Sequence, residues 1–310
     1  VVSVDPLVEG LKVGIVGGDS FVELTAPPDH TVIVSGYQGE PYLRFSPDGM
    51  VEENEATTTA VLNQSRYGRS TAGTNTSPDA PPGWKRVATN GSYAWHDHRS
   101  HWMSPRRPPG KHPGDVVVQG VIPLVVDGNP VSVLVETTWL AAPSPVPAAA
   151  GAIGAAVLLV AIFVAARRRV ELTVAAAAAV VAVLALVAGV AAYTSVPVVT
   201  GRRFAEWALP AVAVVLGLIG ALIARRRPPL AAAFATVASL QLLGWGWWRR
   251  LGLSRATIPT DLAAPLDRFV TAAALAVGVL GAVAAGWTLV RPLPPMSPPQ
   301  ALPANESDRT

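Results

Sequence analysis

The sequence predicts a two-part molecule: an N-terminal extracytoplasmic antiparallel β-sandwich, followed by a bundle of five transmembrane helices. Three observations predict it. Residues 1–143 carry 10 Lys/Arg against 15 Asp/Glu, whereas residues 144–310 carry 14 against 6. The first part alternates short β-branched or aromatic runs with turn residues, the pattern of an all-β domain. The second part contains five apolar runs, each about long enough to cross a hydrocarbon core of roughly 30 Å.

This division explains the overall basic balance, a net charge of +3. It averages an acidic domain with arginines at span ends, so it is no footprint of nucleic-acid binding. Membrane lipid is the expected partner, with a membrane protein or complex beside it. The chain has no cysteine, which excludes disulfides, thiolate metal sites, iron–sulfur clusters and cysteine nucleophiles. The first part must therefore cohere through its core alone, and about 140 residues are enough for that. Val1 opens on strand-like residues rather than a charged start and an apolar run. The expectation is a signal peptide removed upstream.

Within the first part, Leu11–Val16, Phe21–Leu24, Thr31–Ser35 and Tyr42–Phe45 read as strands. Ser46-Pro47-Asp48-Gly49 reads as a type I turn, with Pro pre-setting φ. Val116–Val126 and Val131–Trp139 flank Asp127-Gly128-Asn129-Pro130, a hairpin signal. Alternation puts Val131, Val133, Val135, Thr137 and Trp139 on the core face. Residues 64–83 and 105–114 read as long surface loops. Glu52-Glu53-x-Glu55 reads as a charge run on a solvated turn, since no calcium-loop spacing surrounds it.

Between those loops lies Trp95-His96-Asp97-His98-Arg99-Ser100-His101-Trp102-Met103, holding three of the five histidines. As a strand it would put Trp95, Asp97, Arg99, His101 and Met103 on one face and His96, His98, Ser100 and Trp102 on the other. His96 and His98 would then converge on one metal ion, with His101 joining only if the chain turned. Imidazoles and the Met103 thioether, without a thiolate, favour copper, with zinc second. His112 and His30 are further loop candidates, and Asp97 is a candidate acceptor orienting an imidazole. The competing expectation is structural: Trp95 and Trp102 as core anchors, and Asp97–Arg99 as a weak surface ion pair.

No nucleophile–base constellation, phosphate loop or His-Glu-x-x-His is present, so no enzyme is expected. Gly39-Glu40-Pro41-Tyr42-Leu43, Pro81-Pro82-Gly83-Trp84, the Trp-His-Asp-His-Arg-x-His-Trp-Met stretch and the Val-Asp-Gly-Asn-Pro hairpin resemble a group of uncharacterised exported multi-pass membrane proteins of actinobacteria. The resemblance spans the first part and the first apolar run. It implies the topology and a bacterial envelope location, and no activity.

A proline-rich linker at residues 141–147 delivers the chain to apolar runs near 148–166, 172–193, 209–224, 229–247 and 269–290. Arg167-Arg168-Arg169, Arg225-Arg226-Arg227 and Arg291 end the first, third and fifth runs. By the positive-inside rule these ends are expected to be cytoplasmic and the β domain outside. Arg202, Arg203, Arg249, Arg250, Arg255 and Arg268 in the outer loops count against this, and the expected export of the N-terminal domain decides it. Trp245, Trp247 and Trp248, with Trp207 and Tyr193, form an interfacial aromatic belt. The runs carry no ionisable residue at their centres, which disfavours a lone transporter. Gly217/Ala221 and Gly281/Ala285 are small pairs suited to close helix packing, within the chain or against a partner. The tail, residues 292–310, is expected to be disordered and cytoplasmic. The functional expectation is a metal-handling or metal-delivering membrane protein, or one that docks to a membrane metalloenzyme. The other expectation is a non-catalytic accessory subunit of a membrane complex, with no metal of its own.

Overall fold

The computed structural model describes residues 1–19, 21–65, 81–104, 106–197 and 202–290. Most of the loop expected at 64–83, together with Arg291 and the tail expected at 292–310, lies outside these residues. An N-terminal β region precedes five helices long and apolar enough to cross a membrane. The protein is thus an integral, multi-pass membrane protein by the length and composition of its helices.

The strands are β1 (Ser3–Asp5), β2 (Lys12–Val16), β3 (Phe21–Thr25), β4 (Val32–Ser35), β5 (Pro41–Phe45), β6 (Val51–Asn54), β7 (Trp84–Ala88), β8 (Ser92–Trp95), β9 (Val116–Val126) and β10 (Asn129–Thr138). They form a seven-stranded antiparallel sheet, β1-β10-β9-β4-β5-β6-β7, and a three-stranded sheet, β2-β3-β8. One core joins the sheets. Tyr42, Phe45, Ile122 and Leu124 come from the large sheet, and Leu24 and Trp95 from the small one. Burying each such side chain contributes about 1.5–3 kcal/mol.

The β9–β10 hairpin turns at Asp127 (φ 48°) and Gly128 (φ 82°). Two left-handed residues make the primed turn whose twist matches the strands. Val131, Val133 and Val135 point into the core as alternation predicts. The charge run is a different matter. Glu52 and Glu53 lie on β6, not on a solvated turn, because each carboxylate has a partner. Glu52 pairs with Arg44, Glu53 accepts from Tyr42 (3.0 Å) and Tyr93 (3.2 Å), and Glu55 just beyond pairs with Lys85 (2.7 Å). A short helix, α1 (Thr58–Asn63), was not expected. Thr57 caps it by accepting the Ala60 N–H at 3.0 Å.

The long helices are α2 (Val146–Ala165), α3 (Val170–Thr194), α4 (Ala205–Ile223), α5 (Pro228–Arg249) and α6 (Ala264–Val290). Prolines in the first turns of α2 and α5 forfeit no helical hydrogen bond there. Helix α3 packs against all four others. The small residues serve contacts within the chain: a Cβ on Gly217 would stand 2.9 Å from the Ala179 nitrogen of α3, and one on Gly281 would run into Ser239 of α5. The β domain rests on the ends of this bundle away from the two arginine triplets. A Cβ on Gly18 would come within 3.9 Å of Thr257 and Pro259 in the α5–α6 loop.

Candidate metal centre

Strand β8 ends at Trp95, whose indole is 3% exposed in the core. The chain then departs from the alternation expected of a strand. Asp97 (φ −132°) caps a single 3₁₀ turn, His98–Ser100, by accepting the Arg99 N–H at 3.0 Å. In a 3₁₀ turn, residues i and i+3 eclipse, so His98 and His101 share a side and His96 lies beside them. Continuing the ladder past Trp95 would have left His96 and His98 on one face and put His101 on the other. The cap brings them together.

The turn is held from four directions. The Asp97 carboxylate is fully buried and accepts from the Trp95 indole (3.0 Å) and from Arg99 Nε (2.9 Å) and NH2 (2.8 Å). Arg99 also donates to the Ser35 carbonyl and lies over the Tyr37 ring. Burial disfavours its charge, but the hydrogen bonds and charge of Asp97 more than offset this, and its pKa is raised. The His98 N–H donates to the Tyr37 hydroxyl (2.9 Å), and Thr137 of β10 donates to the Ser100 carbonyl (2.6 Å). Gly120 of β9 leaves room for the turn, since a Cβ there would overlap the Arg99 carbonyl. The Asp97–Arg99 pair expected on the surface is therefore an interior staple. The Asp97 carboxylate has no solvent exposure, so its charge is compensated by these partners alone.

On the other side of this staple the three imidazoles meet. Ring centroids lie 4.5 Å apart for His96–His101, 5.3 Å for His96–His98 and 5.7 Å for His98–His101. One nitrogen from each lies within 4.8 Å of the other two, and His101 is fully buried. His101 Nδ1 is 3.1 Å from the Trp102 carbonyl and His98 Nε2 is 2.8 Å from the Ser65 carbonyl. A carbonyl only accepts, so each ring places an N–H there, leaving its other nitrogen a lone pair. His96 Nε2 and His101 Nε2 stand 2.8 Å apart. With Nδ1 protonated, His101 accepts and His96 donates.

A tetrahedral ion with nitrogen ligands at about 2.0–2.1 Å needs nitrogens about 3.3 Å apart. The closest pair must open slightly and the widest must draw in. Three imidazoles, two of them with the far nitrogen tied to a backbone carbonyl, are a donor set that could hold one metal ion once His96 gives up the proton it shares with His101.

The remaining candidates are placed elsewhere. His112 is exposed, with its ring 3.8 Å from the Asp115 carboxylate, and His30 bonds Asp127 at the hairpin turn (2.5 Å). Met103 is 38% exposed. Asp97 orients Trp95 and Arg99 rather than an imidazole. Trp102 is half-buried and donates to the Arg106 carbonyl (2.8 Å).

The sequence reading also missed a polar cluster at the bundle ends beneath the β domain. Helices α4, α5 and α6 start or finish beyond their apolar runs, and the extensions carry charge. Arg249 of α5 bridges Glu206 of α4 and Asp267 of α6, both at 2.5 Å. The neighbouring Arg268 is 5% exposed and donates to the carbonyls of Gly252, Arg255 and Ala256. Acid and arginine at the same ends of three consecutive runs was the available signal. Comparison with protein families, with characterised proteins and with solved structures finds no match for this chain.

Proposed function

We propose that the protein is a bacterial cell-envelope protein whose β domain faces outward and holds one metal ion, copper first and zinc second, to handle it, deliver it or present it to a membrane metalloenzyme. The observation that carries this reading is the convergence of His96, His98 and His101. Three imidazoles without a carboxylate or thiolate suit copper and zinc and are poor ligands for calcium or magnesium. Met103 lies two residues past His101 in the chain, and its thioether is the ligand type that would favour the cuprous ion if the exposed side chain turned to the histidines. His112 and Asp97 take no part in it. The arginine triplets at the ends of α2 and α4 away from the β domain support the outward orientation, set against Arg202, Arg203, Arg249, Arg250, Arg255 and Arg268 at the other end.

A second reading draws on α2, which exposes Ile153, Val157, Val160 and Val164. That apolar face fits lipid, and it equally fits a neighbouring span in a complex where the protein is a non-catalytic accessory subunit. Metal analysis of the full chain in detergent, after copper or zinc loading and desalting, separates the two. About one equivalent in the wild type, lost in His96→Ala/His98→Ala of equal helical content, is the expected result. No retained ion in the wild type would sink the metal reading and leave the accessory role. Because protons compete for the imidazole lone pairs, retention should also fall on acidification.

A further inference from the structure

Between the β domain and the bundle lies a cleft of about 770 Å³, within the size range of ligand pockets. Its charge is lopsided. Arg106 and Arg107 line it from the β domain, and Arg203 and Arg255 line it from the α3–α4 and α5–α6 loops. Opposing them are Asp19 and Glu206, and Glu206 is already engaged by Arg249. Among the described residues none of the four arginines forms an ion pair with a carboxylate. Arg203 lies over the Trp248 ring, 5.2 Å from its centre.

The surroundings of these arginines are aromatic. Trp102 and Trp139 of the β domain and Tyr193 at the end of α3 share the lining. The cleft also has a definite depth. Helix α3 ends at Thr194 and α4 begins at Ala205, so its floor is where the spans leave the hydrocarbon and lipid headgroups begin. Like charges gathered in one cleft repel each other unless an anion sits among them. Arginine's planar fork matches phosphate oxygens bidentately, and aromatic rings suit the apolar part of an amphiphile.

We propose that this cleft is a binding site for a phosphate group, presented by the headgroup of an anionic membrane lipid. It is separate from the metal reading, because none of His96, His98 and His101 lines it. Phe21, which borders the cleft, meets His96 edge-on at 6.1 Å and stands between the two sites.

The test uses the full chain in detergent, with retained ligand counted by native mass spectrometry. Phosphatidylglycerol, phosphatidylcholine and inorganic phosphate are titrated separately. The cleft variant is Arg106→Gln/Arg107→Gln/Arg203→Gln/Arg255→Gln, all at exposed positions, and the lysine version at the same positions preserves the charge. Arg225→Gln/Arg226→Gln, at the opposite end of the bundle, controls for general basic charge. The expected result is preferential retention of phosphatidylglycerol, weakened about tenfold or more in the glutamine variant, the cost of losing one charge-assisted contact. Lysine should restore part of it, and the opposite-end control should bind as the wild type does. Retention of inorganic phosphate with no lipid preference, lost in the same variant, would assign the site to a soluble phosphate species. Equal binding by the wild type and the cleft variant, or an equal loss in the opposite-end control, would overturn the proposal.

Discussion

Asp97 is the residue on which the histidine stretch depends, although it touches no imidazole. Its two oxygens receive the Trp95 indole, the Arg99 backbone N–H and two guanidinium nitrogens, all without solvent. Removing one partner of such a buried pair costs more than the pair contributes, because the other charge is left desolvated. Asp97→Asn keeps the shape and the cap but strands the Arg99 charge. It should destabilise the β domain by about 3–5 kcal/mol, read as a lowered melting temperature of the full chain in detergent. Asp97→Asn/Arg99→Met should recover much of that loss, since an apolar replacement leaves no uncompensated charge. If the single variant melts with the wild type, the staple is not what holds the turn.

At the scale of elements, the 3₁₀ turn depends on the strands beneath it, and Gly120 is where that dependence can be tested without touching a ligand. Gly120→Ala puts a methyl group into the Arg99 carbonyl, an overpacking cost of about 1–3 kcal/mol. It should weaken metal retention while leaving all three histidines in place. Unchanged retention would mean that the turn does not set the site. The two sheets are joined in a similar way. Glu53 on β6 accepts from Tyr42 on β5 and from Tyr93 on β8 of the smaller sheet. Burial, and then the charge of Glu53, raise the pKa of both tyrosines. A raised pKa stabilises the fold fully below the unfolded value, near 10, and less as pH rises beyond it. Stability should therefore fall above pH about 10, by about 1.4 kcal/mol per pH unit for Tyr42, and Tyr42→Phe should flatten that slope in alkaline denaturation. The sequence shows some of this and hides the rest for definite reasons. His96, His98 and His101 are legible because they are near neighbours in the chain. Alternation already pairs His96 with His98, but it puts His101 on the opposite face, because it assumes an unbroken ladder and Asp97 ends it. Likewise Glu52 and Glu53 look solvated until Arg44, Tyr42 and Tyr93 arrive from other strands.

For the whole molecule, the five long helices follow from hydropathy alone, whereas their ends do not, because charge at an end can be neutralised by another helix. Arg249 does this for two helices at once, with Glu206 and Asp267 within 2.5 Å and the Trp245 ring beneath its guanidinium. Three helices are thereby fastened at the level where the β domain rests on the loops. The clasp is imperfect: Arg249 Nε and the Thr271 hydroxyl are buried without a hydrogen-bond partner among the described residues. An arrangement that tolerates such costs is held by the pairing of its charges. Arg249→Met keeps the apolar stem but leaves two carboxylates facing each other, with an expected loss of about 3–5 kcal/mol. The melting temperature of the full chain should drop, and the added changes Glu206→Gln/Asp267→Asn should restore most of it by removing both stranded charges. Metal retention by the β domain should stay at the wild-type level in both variants, because the staple at Asp97 and Arg99 makes no contact with the clasp. A joint loss of bundle stability and bound metal would show instead that the two halves respond as one unit, with the outer loops transmitting the change.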